Sequence, residues 1–554
     1  MTILPSEAEG RVFDLCIVGS GPAGIAVALE YAALRPLSAI LLVEFGHDKP
    51  GGKNSLDDAI EIRNPTNHHE PYECTNKGFG GTSATWGGRC VMYDEVDFIP
   101  HAAIGSDCTW DKALLAELQP YVAKASELLE CGSGPFDLAP DERVGGTRIA
   151  EGFVPGKVTD TIVERWSMPT RFAGRYGGQI KESSAIFLLQ GWRARRFGAV
   201  NADGVVEDLE LEAKDSTARL RIQARQFVLA AGAQEVTRLL LQNKQLFTRA
   251  GEAPDALGHY YQCHLSGKIA SVQFSGAPEK TDFGFIRESD GTYIRRRFQF
   301  PSEVLCREGL LNTALWLDNP LYVDPVHRSG AMSFMYLAMI TPVLGPRLAP
   351  PAIARTITKG KIYRIPAHVA NILKGLPGSL WTPASVFFQR YCRKRKLPGV
   401  FLYSPENKYA LHFHAEQIPI RENRMELAPD GETLVIHYDL TDADIDSVIK
   451  CHELLDRWLQ ECQCGHLEYW FPQEQLAGAI REMSKDGIHQ CGTTRIGRSI
   501  ADGVVDRDLK VFGTNNVYVC SSSAFPTSGQ ANPTFLTCVF AARLAQKLAL
   551  DEIH

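Results

Sequence analysis

Gly19, Gly21 and Gly24 stand in the spacing Gly-x-Gly-x-x-Gly, with Glu44 25 residues past Gly19. Each position has a physical task in binding a dinucleotide. Gly19 permits a tight turn, Gly21 lets backbone N–H groups approach a pyrophosphate, and Gly24 lets a helix pack closely on a strand. Glu44 is placed to accept hydrogen bonds from ribose hydroxyls. The spacing alone is weak, so its meaning depends on the elements around it.

Those elements are the required ones. Residues 12–18, Val-Phe-Asp-Leu-Cys-Ile-Val, read as a buried strand that is apolar on both faces, as parallel strands are. Residues 25–34 read as a helix of small and apolar residues, and residues 39–43 as a second strand ending at Glu44. The helix N-terminus then turns its positive dipole end to the phosphates. The motif leaves FAD and NAD both open, and its place at the start of the chain leans toward FAD.

A second glycine-rich run spans residues 78–90 and holds Gly81, Thr82, Ser83, Trp86, Gly87 and Gly88. It suits a loop passing close to a flat ligand, its hydroxyls bonding phosphate or ring edges and Trp86 covering an apolar face. On its own it reads better as a surface loop. Residues 227–235 read as a buried strand entering a tight turn at Gly232, with a helix at 237–243. Residues 204–226 alternate as hairpin strands do.

The carboxy-terminal residues carry the densest information. His489-Gln490-Cys491-Gly492-Thr493-Thr494-Arg495 precedes a strand at 517–520 and the run Gly529-Gln530-Ala531-Asn532-Pro533-Thr534. Apolar residues at Leu536, Val539, Phe540, Leu544 and Leu548 repeat with a helical period, so the last helix runs from Thr534 to about Leu550. Asn532 suits its N-cap and Pro533 its first position. The positive end of that helix can stabilise negative charge on a nearby acceptor.

Taken in order, these motifs resemble the glucose–methanol–choline (GMC) family of FAD-dependent oxidoreductases. They are the opening Gly-x-Gly-x-x-Gly, Gly80-Gly81-Thr82-Ser83-x-x-Trp86-Gly87-Gly88, Ala230-Ala231-Gly232-Ala233, His489-x-x-Gly492-Thr493-x-Arg495 and Asn532-Pro533. The branch it is most similar to holds bacterial pyranose oxidases and amino-sugar alcohol dehydrogenases, while residues from about 270 to 480 match the family loosely. The resemblance implies an α/β fold: a Rossmann-like FAD-binding domain assembled from residues 1–270 and 481–554, and a substrate domain, 271–480, on an antiparallel sheet with helices. It implies that His489 takes the proton of a substrate hydroxyl while Asn532 bonds the substrate oxygen. Histidine titrates near neutral pH and a fixed amide orients an oxygen without competing for its proton, so the residue types suit those tasks.

The same resemblance assigns cofactor contacts to Gly19, Gly21, Gly24, Glu44, Gly81, Thr82, Ser83, Trp86, Gly87, Gly88, Gly232, Ser521, Ser522, Pro533 and Thr534. Members with covalently bound FAD carry a histidine around the Thr82–Trp86 loop. Here Ala84 and Thr85 stand there, which implies non-covalent FAD. Ser521 replaces the family's usual Asp and weakens any ribityl contact at that site.

In the substrate region, strands are expected at 293–300 and 409–417 and a helix at 442–462. Alternation in the second strand puts His412, His414 and Glu416 on one face, read as a hydrogen-bonding pocket wall rather than a metal site. Glu416 there could attract an amino group. Residues 325–405 hold 12 bases and no acid. That stretch reads as an insertion over the active-site mouth, solvated or paired with the acidic rest of the chain, or docking on an acidic protein, a membrane surface or a phosphorylated substrate.

Composition narrows the rest. Over 554 residues, Lys plus Arg number 58 against 65 Asp plus Glu, a net −7 that does not suit a DNA-coating protein. The 14 cysteines form no C-x-x-C pair, so no zinc site is expected and reduced thiols in a cytoplasmic protein are. Glu7 and Glu9 precede the first apolar run and glycines interrupt it, unlike a secretory leader. No window is long and apolar enough to span a membrane. The expected activity is oxidation of a sugar, amino-sugar or secondary-metabolite alcohol, with oxygen or another carrier as electron acceptor. The alternative is a lyase or decarboxylase on the same fold, without net oxidation.

Overall fold

The computed structural model describes residues 2–46, 59–138, 148–167, 170–319, 322–345 and 362–551. The strand Val12–Val18 lies between two parallel neighbours, pairing Leu15 with Ile40 on one side and Cys16 with Phe227 on the other. Its position explains its sequence: with strands on both edges and helices on the faces, Leu15, Cys16 and Ile17 are fully buried. The complete sheet has seven strands. Ile186–Gln190, Ile40–Glu44, Val12–Val18, Arg219–Leu229, Asp208–Ala213 and Trp192–Phe197 run in that order, with Val517–Val519 beside Arg219–Leu229.

The strand Arg219–Leu229 changes character along its length. Its first half alternates exposed and buried residues where it pairs antiparallel with Asp208–Ala213, and its last three residues are buried between parallel partners. Val18, Glu44, Leu229 and Val519 therefore end on one edge of the sheet, where ligands bind in open parallel sheets. Helices Pro22–Leu34 and Thr534–Asp551 pack together over it.

A second, antiparallel sheet runs Thr313–Asp318, Lys408–Ala415, Leu265–Phe274, Gly465–Tyr469, and a separate core of buried residues lies under it. The helix Asp442–Glu461, expected at 442–462, packs here. It opens with a reciprocal cap in which Thr441 Oγ1 accepts from the Asp444 amide and Asp444 accepts from the Thr441 amide, worth about 1 kcal/mol. A third sheet, Ile286–Arg287, Tyr293–Arg296, Val163–Trp166, Arg89–Cys90, ties the end of the glycine-rich run to strands from the middle of the chain.

Several boundaries move. The strand expected at 293–300 ends at Arg296, because Phe298 leaves that sheet to pair with Leu315 of the neighbouring one. The helix expected from Thr237 starts at Gly232, whose φ of +78° lets the turn and helix follow at once. The strand Leu265–Phe274 runs across the expected boundary at residue 270. Within the basic segment, residues 346–361 lie outside the described residues. The rest forms helices Gly330–Ile340, Ile365–Lys374 and Gly378–Tyr391 around a small core including Met332, Tyr336 and Leu402. Among the described residues, no helix is long and apolar enough to cross a membrane.

Candidate active site

At the carboxyl edge of the seven-stranded sheet a groove of about 660 Å³ opens. Gly19, Gly21, Glu44, Gly81, Thr82, Ser83, Trp86, Gly87, Gly88, Gly232, Ser521, Ser522, Pro533 and Thr534 all border it, and so do His489 and Asn532. Its glycines have distinct duties. A Cβ on Gly19 would lie 2.6 Å from the carbonyl oxygen of Ala230, and its φ is +103°, so that position is required by the turn. A Cβ on Gly21 would meet no protein atom within 4 Å. It would project into open space, so Gly21 keeps the groove clear.

Gly24 does not border the groove. A Cβ there would lie 1.9 Å from the Gly19 carbonyl oxygen, so it serves helix–turn contact. Glu44 is buried and turned to the loops: one oxygen accepts from Ser20 N–H and O–H, the other from the amides of Gly46 and Gly78. Ser83 donates to the Gly80 carbonyl, and Trp86 Nε1 donates to the Thr170 carbonyl, which fixes the glycine-rich loop.

The chemistry gathers at one end. Asp486 leaves the helix Gln473–Met483 by a short loop, and its carboxylate accepts four N–H bonds. One oxygen takes the amides of Gly487 and Ile488; the other takes the amide of His264 and, at 3.0 Å, Nδ1–H of His489. Gly487 is required there, because its φ is +127° and a Cβ would lie 2.6 Å from the His68 ring. Burial alone would raise the Asp486 pKa; His489, His264 and the amide donors outweigh it and hold the carboxyl below its usual range.

An ionised Asp486 can only accept, so Nδ1 of His489 carries the proton and Nε2 presents a lone pair. Asn532 Nδ2 donates to that Nε2 at 2.7 Å. The amide of Asn532 thus turns to the histidine instead of capping the last helix, which begins at Thr534. Its buried Oδ1 has no partner among the described residues.

His264 and His414 stand behind His489, with ring centroids 4.9 and 5.3 Å from it. Both are buried; burial first, then His489, pushes His264 down to about 3, and burial with His264 and Arg89 holds His414 well below its ordinary value. The three rings form a cluster that could hold a metal ion by position. Four of the six nitrogens have hydrogen-bond partners: His264 Nε2 meets the Ser528 carbonyl, His414 Nδ1 the Gln530 carbonyl, and both of His489 are bonded as described, while His264 Nδ1 has no hydrogen-bond partner among the described residues.

His414 was expected at the pocket wall; the structure places it one layer deeper, against His264. His412 shares its face as expected and stacks on Trp316 at 4.4 Å. Glu416 falls beyond the end of the strand at Ala415 and turns to the amides of Asn312 and Gly529, so it does not border the groove. Burial raises it to about 7. Both Glu416 oxygens are thus taken by backbone amides and turned away from any substrate amine in the groove.

Arg89 was not singled out by sequence reasoning. It borders the groove and shares the buried Glu164 with Arg295 and Arg297, three guanidinium groups around one carboxylate. Its Nε has no acceptor among the described residues, and burial lowers its pKa to about 9. Asp486 and His264 were missed too.

These features define a class: an α/β protein with a glycine-lined groove of the dinucleotide-binding kind and an oriented imidazole at its far end. Residues 419–541 match the family model of the GMC oxidoreductase. No curated protein sequence matches the chain. Solved structures share its fold over nearly the whole length. An FAD-dependent oxidoreductase from Chaetomium thermophilum has a TM-score of 0.55 at 13% identity, covering 98% of this chain and 99% of its own. A formate oxidase from Aspergillus oryzae has 0.53 at 16%, with the same coverage. A fungal aryl-alcohol oxidase has 0.52 at 14%, covering 98% and 100%. Over residues 419–541 the chain is thus similar to the GMC oxidoreductase carboxy-terminal domain, and over nearly its whole length it shares the fold of these structures.

FAD is the cofactor of this family, and the groove fits it. The space beside Gly21 and Gly232 would be filled by any Cβ, which is what close passage of a dinucleotide requires. Arg89 Nε, Trp166 Nε1, Gln234 Nε2 and Asn532 Oδ1, all buried on its walls, need partners that a polar ring system and its phosphates supply.

Proposed function

We propose that the chain oxidises an alcohol hydroxyl to a carbonyl, with His489 as the base. The observation that carries this reading is the chain Asp486–His489–Asn532 at one end of the glycine-lined groove. Bound FAD, held without a covalent link because Ala84 and Thr85 offer no histidine, supplies the acceptor for the hydride of the alcohol carbon.

His489 Nε2 takes the hydroxyl proton, and Asp486 balances the imidazolium that results. Asn532 then bonds the substrate oxygen with the same Nδ2–H it gives to Nε2 in the structure, holding it against the base. The buried excess of guanidinium over carboxylate around Glu164 favours negative charge at this end of the groove. His264 and His414, kept neutral by burial, pack the base without adding competing positive charge.

The substrate class is a sugar, amino-sugar or secondary-metabolite alcohol, with oxygen or another small carrier as electron acceptor. All 14 cysteines are free thiols, which fits a cytoplasmic location. The test is a visible spectrum of the purified protein followed by a screen of alcohols with oxygen or a dye. Acceptor consumption with carbonyl formation supports the reading; product formation without acceptor consumption replaces it with a lyase.

A further inference from the structure

The charge and exposure of the basic insertion define a surface that the oxidation chemistry does not use. Of the 23 large apolar residues exposed among the described residues, 13 fall between Val343 and Tyr391. They follow helical spacing. In Ile365–Lys374 the exposed residues are Ile365, Val369 and Leu373; in Gly378–Tyr391 they are Leu380, Trp381, Phe387, Phe388 and Tyr391. Each set forms a stripe like the one a surface helix normally buries against its core, and here it faces outward. Trp381 is 73% and Leu373 63% exposed. The inward faces are served by the small core around Met332 and Tyr336, so the outward stripes are additional to what the fold uses.

Basic residues border the stripes. Lys374 ends the first helix, and Arg393, Lys394 and Lys396 follow the second, with Arg393 placed over the Phe388 ring at 5.9 Å. Among the described residues these four form no ion pair. Arg328, at the far end of the segment, pairs with Glu406, and Arg395 donates to the Glu130 carbonyl. No acid occurs in residues 325–405 to neutralise them.

We propose that these two helices dock the enzyme on an anionic lipid bilayer, with the stripes of Trp, Phe and Leu at the headgroup boundary and the lysines and arginines on the lipid phosphates. Apolar stripes with aromatic residues beside Lys and Arg have the composition of an interfacial helix. Charge decides between occupants. A second copy of the chain, related by a two-fold axis through this patch, would set basic on basic. An anionic bilayer supplies apolar contact and opposite charge together.

The experiment is flotation of the full-length flavoprotein with vesicles of phosphatidylcholine, alone or mixed with phosphatidylglycerol. The protein floats with the anionic vesicles and not with the neutral ones. Brominated acyl chains quench tryptophan emission, and Trp381→Phe removes that quenching. Replacing Arg393, Lys394 and Lys396 together by Gln weakens vesicle binding about 100-fold, at roughly fivefold per charge near the surface. Phe387→Ser with Phe388→Ser weakens it by at least about tenfold. Both variants keep the flavin spectrum and solution turnover of the parent, which separates this outcome from misfolding or failure of the oxidation reading. Absence of flotation at low salt overturns the proposal. So does binding unchanged in both variants, or a solution dimer that the Phe387/Phe388 variant dissociates.

Discussion

Oδ2 of Asp486 accepts the Nδ1 proton of His489 at 3.0 Å, and that single contact decides which nitrogen of the ring can act as a base. The remaining acceptors of Asp486 are filled by backbone amides, so its charge and position are fixed independently of any substrate. Asp486 therefore fixes the orientation of the His489 ring, and the same loop carries both.

Replacing Asp486 by Asn removes the charge and lets the imidazole adopt the other tautomer. The expected result is a kcat lower by on the order of 100-fold or more, with KM nearly unchanged and flavin still bound. Single-turnover reduction of the bound flavin, compared with steady-state KM, measures this split.

Asn532→Ala removes the donor that meets Nε2 and the buried oxygen that lacks a partner among the described residues. Because the side chain does not cap the last helix, the melting temperature changes by only a few degrees. The loss of rate is about 100- to 1,000-fold, the size seen when one donor to a developing oxyanion is removed. Thermal melts alongside flavin reduction by an alcohol check both halves.

Gly19 and Gly21 separate fold from cofactor. At Gly21 an added Cβ meets no protein atom within 4 Å and the extended backbone suits valine, so Gly21→Val is expected to fold with the groove filled. It purifies colourless with secondary structure intact. Gly19→Val instead collides with the Ala230 carbonyl and is strained at positive φ, so it lowers stability directly. Absorbance at flavin wavelengths and circular dichroism distinguish the two.

The glycine spacing, the last helix and the pair His489 and Asn532 were legible in the sequence because each sits in a contiguous pattern. Asp486 was not, since three residues of loop carry no periodicity, and His264 reaches it from 222 residues away. Alternation correctly put His412 and His414 on one face. It then failed at Glu416, where the strand ends and the carboxyl turns to backbone amides. The N-cap expected of Asn532 lost to a hydrogen bond with His489, a contact made only in the folded chain.

Glu416 and His264 are among the buried groups that make stability vary with pH. Glu416 holds its proton more tightly when folded, up to about 7. The stability it contributes is full below its ordinary 4.5 and is lost as pH rises toward 7. His264 is favoured neutral, so its contribution is full above 6.5 and is lost as pH falls toward 3. Melting temperatures across pH 4 to 8 follow both limbs. Glu416→Gln flattens the alkaline limb and His264→Asn the acid limb.

The most direct measurement is the anaerobic bleaching of enzyme-bound flavin by an alcohol substrate, in the parent and in His489→Ala loaded with the same amount of flavin. The alcohol bleaches the parent, and the variant slows by on the order of 100- to 10,000-fold, the range for loss of a general base. A variant that bleaches as fast as the parent would contradict the assignment of His489 as the base.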